Sequence, residues 1–202
     1  MIAVILVEDE HLIRSALAGL IELDEDMHVV GQFANGEDAV VGCAALKPEV
    51  AIIDLQLPGM DGIETAVALR ECVPELHTMI LTSYGRPGHL KRALAHGVQG
   101  FMPKTISAAE LSRAIRTMRD GGRAVDSALA TEVIVAGDSP LSAREADALE
   151  MSIGGTPVKT IARKMHLSEG TVRNYLSSAQ TKLGAANRFE AVELAREQGW
   201  IG

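Results

Sequence analysis

The sequence predicts an α/β domain built on a five-stranded, doubly wound parallel sheet, followed by a small all-α domain of four helices. Over residues 1–121, five short apolar runs alternate with helix-length amphipathic segments, an order typical of parallel α/β folds. After Pro140 the strand signals stop, and four segments with helix-start signals follow. The chain of 202 residues is long enough for two such domains, each with its own hydrophobic core.

The predicted strands are runs of four or five residues, rich in Val and Ile, each followed by polar residues or glycine. Runs of this kind are typical of strands that a parallel sheet buries on both faces. We expect the five strands at Ala3–Val7, Val29–Phe33, Val50–Ile53, Thr78–Thr82 and Gln99–Met102.

Capping signals mark helix ends in both domains. In the first, Gly97 stands where a left-handed C-cap is expected, and a capping box at Ser107 and Glu110 opens a helix that runs to Arg119. In the second, the helix starts lie at Ser142 with Glu145, at Pro157, at Ser168, and at Asn187 with Glu190. We expect the first domain over residues 1–121, a linker with a weak helical patch over 122–139, and the second domain over 140–202.

Composition excludes several classes of protein. The chain has 19 Lys and Arg against 27 Asp and Glu, 47% hydrophobic residues and no apolar run long enough to span a bilayer, so we expect a folded protein without a membrane partner. It has only two cysteines and no basic region before its N-terminal apolar stretch. We therefore expect a cytoplasmic protein without disulfides, in which Cys43 and Cys72 are small core residues.

The negative charge lies in the first part of the chain. Residues 1–137 hold 11 Lys and Arg against 19 Asp and Glu, whereas residues 138–202 hold eight of each kind. Residues 159–188 contain six basic residues and one acidic residue. This division indicates that the two parts bind partners of different chemistry.

Polar residues whose side chains can bind ions or take part in a reaction follow four of the predicted strands. They are Glu8 and Asp9 after the first strand, Asp54 after the third, Thr82 after the fourth and Lys104 after the fifth. The carboxyl ends of parallel strands form one crevice, so these residues are expected to converge. Clustered carboxylates require a cation, and their oxygens favour Mg²⁺. The residues predict a phosphoryl-accepting site in which Asp54 is the nucleophile, Lys104 offsets charge and Thr82 donates a hydrogen bond.

Residues 1–121 resemble the receiver domains of two-component response regulators, which have a flavodoxin-like fold. The shared motifs are Glu8-Asp9, the run DLQLPGMDG at 54–62, Thr82-Ser83 and the run GFMPK at 100–104. The resemblance implies that a sensor histidine kinase phosphorylates Asp54 and that Mg²⁺ is bound by Glu8, Asp9, Asp54 and the carbonyl of Gln56. It also implies that Thr82 and Lys104 contact the phosphate, that Phe101 turns inward when Thr82 moves, and that Gln56 and Tyr84 tune hydrolysis.

The basic segment at 158–176 has the spacing of a helix-turn-helix, whose second helix presents its exposed residues to the major groove. Arg173 and Asn174 offer bidentate patterns that match guanine and adenine, and Ser177 lies on the same surface. The residues expected to contact phosphates are Lys159, Thr171, Lys182 and Arg188. A solvated, charged helix in a protein-interaction domain is the alternative.

Residues 139–202 resemble the LuxR-type four-helix domain of NarL/FixJ response regulators. The shared motifs are Leu141–Glu145, Ile161-Ala162, Leu167-Ser168, Thr171–Tyr175, Lys182-Leu183 and Asn187-Arg188. The runs at 85–89, 170–175 and 199–200 are further similar to the DesR-like branch, which controls membrane-lipid genes.

The two resemblances together imply a transcription regulator that phosphorylation of Asp54 activates through dimerisation. The expected partners are a sensor histidine kinase, double-stranded promoter DNA, a second copy of the chain and RNA polymerase. The dimer would use either the first and fifth or the fourth and fifth helices. Masking of the recognition helix by the unphosphorylated receiver is a second mode of control that this family allows. We expect no enzyme acting on an external substrate, because the receiver only assists its own phosphoryl transfer and dephosphorylation with Mg²⁺.

Three other classes of protein are weaker alternatives. A DNA-binding protein with an inert receiver would not need the complete set of site residues. A phosphatase of the haloacid-dehalogenase kind would need an acid two residues after its nucleophile, where this chain has Gln56. A flavin- or nucleotide-binding domain would need a glycine-rich loop after the first strand, where the chain has three acidic residues instead.

Overall fold

The computed structural model describes residues 1–83, 87–136, 139–165 and 167–201. Several predicted positions therefore lie outside the described residues. They are Tyr84, which is expected to tune hydrolysis, Gly85 and Arg86 of the DesR-like run, and His166 within the predicted helix-turn-helix. The chain divides into two compact units, Met1–Gly85 with Ala93–Leu129 and Arg86–Arg92 with Ala130–Gly202.

The first unit contains a parallel sheet whose strands all run in the same direction. The strands are β1 (Ile2–Val7), β2 (Met27–Phe33), β3 (Val50–Asp54), β4 (His77–Thr82), β5 (Gly100–Pro103) and β6 (Ala124–Val125). Their spatial order is β2-β1-β3-β4-β5-β6. The second strand is therefore added on one side of β1 and all later strands on the other, which makes the gap between β1 and β3 the switch point of the sheet. This confirms the predicted doubly wound fold.

The described residues add a sixth strand to the five that the sequence predicts. Ala124 donates its amide to the carbonyl of Gln99 at 3.1 Å, and Asp126 donates to Phe101 at 3.0 Å, which extends the sheet beyond β5. Two residues are too short to show strand periodicity, so the sequence gives no signal for β6. The strand lies within the segment predicted as a linker.

Helices alternate with the strands along the chain, and one more follows β6. They are α1 (His11–Ile21), α2 (Gly36–Leu46), α3 (Gly62–Cys72), α4 (Pro87–Ala95), α5 (Ala108–Arg119) and α6 (Ser127–Ala136). The structure confirms the capping box of Ser107 and Glu110 and the positive φ of 75° at Gly97. Cys43 is buried as predicted, but the prediction is wrong for Cys72, because the last residue of α3 lies on the surface.

The second unit contains a helical core that has no strand among its described residues. The helices that follow Pro140 are α7 (Ala143–Glu150), α8 (Val158–Met165), α9 (Glu169–Leu183) and α10 (Arg188–Gln198), with a 3₁₀ turn at Ile153–Gly155. The predicted caps at Ser142, Ser168 and Asn187 each accept a backbone N–H in the first helical turn. In the described part of the chain, every helix is too short or too polar to cross a bilayer.

Strand register determines where the polar side chains of the first unit lie. The pairs at the carboxyl ends of the strands are Val7 with Ile53, Asp54 with Leu81, and Thr82 with Pro103. The residues that follow β1 and β5 are therefore neighbours of the residues that end β3 and β4. This brings the side chains predicted to form one site to a single edge of the sheet.

We expect Gly62→Ala to lower the free energy of unfolding by about 2 kcal/mol, because there is no space for a methyl group there. A Cβ atom at position 62 would lie 2.0 Å from the backbone oxygen of Asp54, which cannot move without displacing the end of β3. Urea unfolding followed by circular dichroism measures the change.

Gly19→Ala is the matched control for this substitution. Apart from its chain neighbours and the backbone of its own helix, no described heavy atom lies within 4 Å of a Cβ placed at Gly19, which is inside α1. Alanine should therefore stabilise that helix, by roughly 0.5–1 kcal/mol. Equal effects of the two substitutions would contradict the proposed steric cause.

Candidate functional site

The predicted acidic site forms at the carboxyl ends of β1 and β3. Carboxylate oxygens of Glu8, Asp9 and Asp54 all lie within 4.8 Å of one another. Glu8 and Asp54 are buried, with 2% and 7% of their surface exposed, whereas Asp9 faces solvent. Two like charges about 5 Å apart repel by about 3 kcal/mol at an effective dielectric constant near 20. This arrangement therefore requires nearby positive charge.

Lys104 supplies one positive charge to the site. Its Nζ atom lies 2.7 Å from Oε2 of Glu8 and 3.2 Å from Oδ1 of Asp54, and its side chain is 13% exposed. The backbone amide of Lys104 donates to the carbonyl of Thr82 at 2.8 Å, which holds the residue next to the end of β4. One ammonium group faces three carboxylates, so the ionised site keeps an excess of negative charge.

Burial determines the electrostatics of the two inner carboxylates. It raises the pKa of Glu8 and the pKa of Asp54, and the charge and hydrogen bonds of Lys104 only partly oppose this effect. Burial alone would lower the pKa of Lys104, but its hydrogen bond to Glu8 and the charges of both carboxylates raise it overall. Lys104 is therefore a stable cation, whereas Glu8 and Asp54 would gain from a second one.

The donor set fits a hard divalent cation. Glu8, Asp9 and Asp54 present only carboxylate oxygens, the ligand type that such cations prefer. One cation bound to one or two of these carboxylates would still keep several waters and an open position for a phosphate oxygen. The sequence predicts these three carboxylates as ligands, and the fourth ligand, the carbonyl of Gln56, stays a prediction.

The remaining predicted residues of the first unit follow β3 or lie in the next two strands of the sheet. The backbone N–H of Gln56 donates a hydrogen bond to the Asp54 carboxylate. Thr82 is 1% exposed at the end of β4, and Phe101 in β5 is fully buried. Because Phe101 is buried in this structure, its movement between an outer and an inner position stays a prediction.

Arg14 is a residue of this site that the sequence analysis missed. Its guanidinium donates to the carbonyl of Glu8 and, at 3.4 Å, to the carbonyl of Asp9. It therefore fixes the backbone of the loop that carries both acidic side chains. A basic residue one turn into the helix after an acidic pair is the signal that would have identified it.

The second unit contains the predicted helix-turn-helix, formed by α8 and α9. Val172, Leu176 and Ala179 of α9 are buried in the same core as Ile161, Ala162 and Met165 of α8. The amide of Leu167 donates to the carbonyl of Ala162 at 2.9 Å and closes α8 before the turn. These contacts fix α9 with one face inward and the opposite face toward solvent.

The exposed face of α9 carries the residues predicted to read DNA. Arg173, Asn174 and Ser177 are all exposed, and Lys159 is exposed on α8. Nη2 of Arg173 lies 2.7 Å from Oε2 of Glu169 one turn earlier. The exposed face of α9 is therefore polar along its first three turns.

The other predicted contacts also have partners inside the unit. The Thr171 hydroxyl lies 2.8 Å from the Ser168 hydroxyl, and Nη1 of Arg188 donates to the carbonyl of Thr156 at 3.2 Å. Lys182 is exposed, and its Nζ lies 2.6 Å from Oε2 of Glu145. An ammonium group has three donors, so this bond leaves Lys182 able to bind a phosphate.

Glu145 joins two helices of the second unit. It lies in the first turn of α7 and accepts hydrogen bonds from Ser178 and Lys182 of α9, both at 2.6 Å. It also accepts from the backbone N–H of Ser142 at 2.6 Å, which completes the predicted capping box. The hydrogen bonds from Lys182, Ser178 and Ser142 lower the pKa of Glu145 to about 2.

Family models match both units of the chain. Residues 4–116 match the response regulator receiver domain, and residues 139–195 match the luxR family of bacterial regulatory proteins.

Several curated proteins and solved structures are similar over the whole chain. The chain is 37% identical over 201 residues to the transcriptional regulatory protein DesR of Bacillus subtilis, with 100% of both chains covered. It is 38% identical over 203 residues to the uncharacterised transcriptional regulatory protein YvfU of the same organism, again with 100% of both covered. RcsB from Salmonella enterica serovar Typhimurium, solved bound to a promoter with the phosphomimetic BeF₃⁻, is 26% identical, with a TM-score of 0.71 and 96% and 97% of the chains covered.

We expect Glu145→Gln to lower the free energy of unfolding of the second unit by about 2 kcal/mol at neutral pH, because the buried carboxylate loses its charged hydrogen bonds. The pKa of Glu145 falls from 4.5 to about 2 on folding, so its contribution is complete above about pH 5. This contribution is lost as the pH falls toward 2. Chemical unfolding between pH 7 and 2.5 should show a smaller loss of stability in the variant than in the wild type.

Glu150→Gln is the control, since Glu150 ends the same helix but is exposed. It should follow the wild-type pH dependence. If Glu145→Gln also followed it, the ion pair with Lys182 would not contribute to the stability of the unit.

Proposed function

Because the chain belongs to the transcriptional response regulators that join a receiver domain to a luxR-type DNA-binding domain, we propose that phosphorylation of Asp54 controls its binding to promoter DNA. The observation that carries this proposal is the environment of Asp54. Its carboxylate is buried at the end of β3, paired with Lys104 and clustered with two further carboxylates. Such an environment favours the arrival of a phosphoryl group together with a cation.

The proposed chemistry is the transfer of one phosphoryl group from a sensor histidine kinase. A carboxylate oxygen of Asp54 attacks the phosphorus of a phosphohistidine, and the bond between phosphorus and the ring nitrogen breaks. The ring nitrogen keeps the electron pair of the broken bond, and a proton on the other ring nitrogen lets the histidine leave as neutral imidazole. Mg²⁺ held by Glu8, Asp9, Asp54 and the Gln56 carbonyl would neutralise phosphoryl oxygens during the transfer.

Lys104 and Thr82 respond to the new phosphate. The added charge of nearly two units attracts the Lys104 ammonium, which already lies 3.2 Å from Asp54. The Thr82 hydroxyl donates a hydrogen bond to a phosphoryl oxygen, and Phe101 adjusts to the movement of Thr82. The receiver thereby assists its own phosphorylation and later hydrolysis, and it turns over no external substrate.

The second unit binds double-stranded promoter DNA through α9. Arg173 and Asn174 contact base edges in the major groove, with Ser177 on the same exposed face. Lys159, Thr171, Lys182 and Arg188 contact phosphates, which gives affinity without sequence information. Members of this family dimerise on DNA, and two copies would place their recognition helices about 34 Å apart, one turn of the double helix.

The remaining partners follow from this role. A kinase must deliver the phosphoryl group, and a regulator bound at a promoter acts on transcription by RNA polymerase. A protein that binds bacterial promoters works where the chromosome is, so we infer a cytoplasmic location.

We expect wild-type protein to gain the mass of one phosphoryl group when it is incubated with Mg²⁺ and a small-molecule phosphodonor. Asp54→Asn should gain none, because an amide cannot form the acyl phosphate. Intact-protein mass spectrometry measures the adduct, and size-exclusion chromatography of the same samples measures dimerisation.

Asp120→Asn is the matched control, since Asp120 is an exposed residue at the end of α5. It should be phosphorylated like the wild type. An unmodified wild-type protein under all these conditions would contradict the proposed function of the receiver.

We expect Arg173→Ala to weaken operator binding by about 1–3 kcal/mol and to relax the preference at one base pair, because a bidentate base contact is lost. Lys159→Ala should weaken binding to all sequences alike. It should also reduce by about one the slope of the logarithm of the binding constant against the logarithm of the salt concentration. Fluorescence anisotropy with matched and mismatched duplexes at several salt concentrations separates the two effects. Unchanged base preference in Arg173→Ala would contradict its assignment to base readout.

A further inference from the structure

The first turn of α9 contains an ion pair between Glu169 and Arg173. Oε2 of Glu169 lies 2.7 Å from Nη2 of Arg173, and the side chains are 43% and 63% exposed. Glu169 is the only acidic residue within residues 159–188, which also contain six basic residues. A single carboxylate in a basic segment is thus bonded to the arginine that we assign to base readout.

The ion pair between Glu169 and Arg173 contributes little to the stability of α9. Exposed ion pairs one turn apart on a helix contribute little, because water screens them and both side chains lose conformational freedom. The first turn of α9 is already capped by Ser168, whose hydroxyl oxygen accepts a hydrogen bond from the backbone N–H of Thr171 at 3.1 Å. The ordering of Arg173 is the more specific consequence of the contact.

The pair leaves Arg173 able to bind a base. A guanidinium has five N–H donors, and the contact with Glu169 uses one of those on Nη2. The remaining donors include a pair suited to bidentate contact with guanine. A carboxylate that orients the guanidinium also removes part of the entropy that Arg173 would otherwise lose on binding.

The charge of Glu169 has a second effect. It lies on the surface that approaches DNA, where a carboxylate repels phosphates and partly neutralises the charge of Arg173. The repulsion between Glu169 and the phosphates weakens binding to every DNA sequence. A correctly placed Arg173 strengthens binding only to DNA that carries the matching base. Discrimination of this kind combines an attractive contact with a repulsive one.

We propose that Glu169 is a specificity-determining residue, which positions Arg173 for one base pair and weakens binding to unmatched DNA. This inference rests on the proposed function, in which α9 enters the major groove and Arg173 contacts a base.

The experiment uses the full chain and a pool of random-sequence duplexes of roughly 30 base pairs, long enough for two half-sites one helical turn apart. Selection and sequencing define the wild-type motif. Affinities for the selected duplex and for a scrambled duplex of equal composition are then measured by fluorescence anisotropy. The proteins are wild type, Glu169→Gln, Glu169→Asp and Arg173→Ala.

Glu169→Gln keeps the shape of the side chain and removes its charge. It should bind the scrambled duplex about three- to tenfold more tightly than the wild type, and it should lose preference at the base pair that Arg173→Ala also affects. Glu169→Asp keeps the charge, so its binding to the scrambled duplex should stay as weak as that of the wild type. A helix-stabilising role alone would change neither the position nor the degree of base preference.

Asp147→Asn is the matched control, because Asp147 also pairs with an arginine on an exposed helix face, Arg144 at 3.7 Å, but lies in α7. It should bind both duplexes like the wild type. If Glu169→Gln selected the wild-type motif with the wild-type ratio of affinities while Arg173→Ala did not, the role of Glu169 would be wrong and that of Arg173 would stand. A wild-type protein that selects no motif would overturn both the inference and the proposed DNA readout.

Discussion

Two ion pairs from Lys104, to Glu8 and to Asp54, make the acidic edge of the sheet possible. A parallel sheet brings the carboxyl ends of its inner strands together, and here two buried carboxylates meet at that edge. Without a cation between them, burial and mutual repulsion would favour the protonated form of these carboxyl groups. The strand order, the position of Lys104 after β5 and the close approach of Gly62 to β3 all serve this contact.

The two units use buried carboxylates in opposite ways. Around Asp54, burial outweighs the favourable contacts, so its pKa is raised and the group gains from a further cation. Around Glu145, hydrogen bonds from three donors outweigh burial, and its pKa falls to about 2. A carboxylate in the first environment can take part in chemistry, whereas one in the second serves only to hold helices together. The balance of desolvation and hydrogen bonding, rather than the residue type, separates the two roles.

Features with strong local signals were predictable from the sequence. The five long strands, the capping boxes and the convergence of Glu8, Asp9, Asp54 and Lys104 follow from apolar patterning and from the geometry of parallel sheets. The missed features depend on tertiary contacts between distant residues. Ala124 and Val125 become a strand only because β5 offers a free edge, and the bonds from Arg14 and to Glu145 depend on loop and helix packing. Cys72 is exposed because it ends α3, which periodicity alone does not determine to within one residue.

The contact of Glu145 with α9 has a mechanical consequence. Glu145 is in the first turn of α7, the first helix of the second unit after the connecting segment, and it is bonded to Ser178 and Lys182 in the last turns of α9. These hydrogen bonds and the shared core hold α7 against α9. A displacement of the start of α7 would therefore either break the bonds of Glu145 or carry the end of α9 with it.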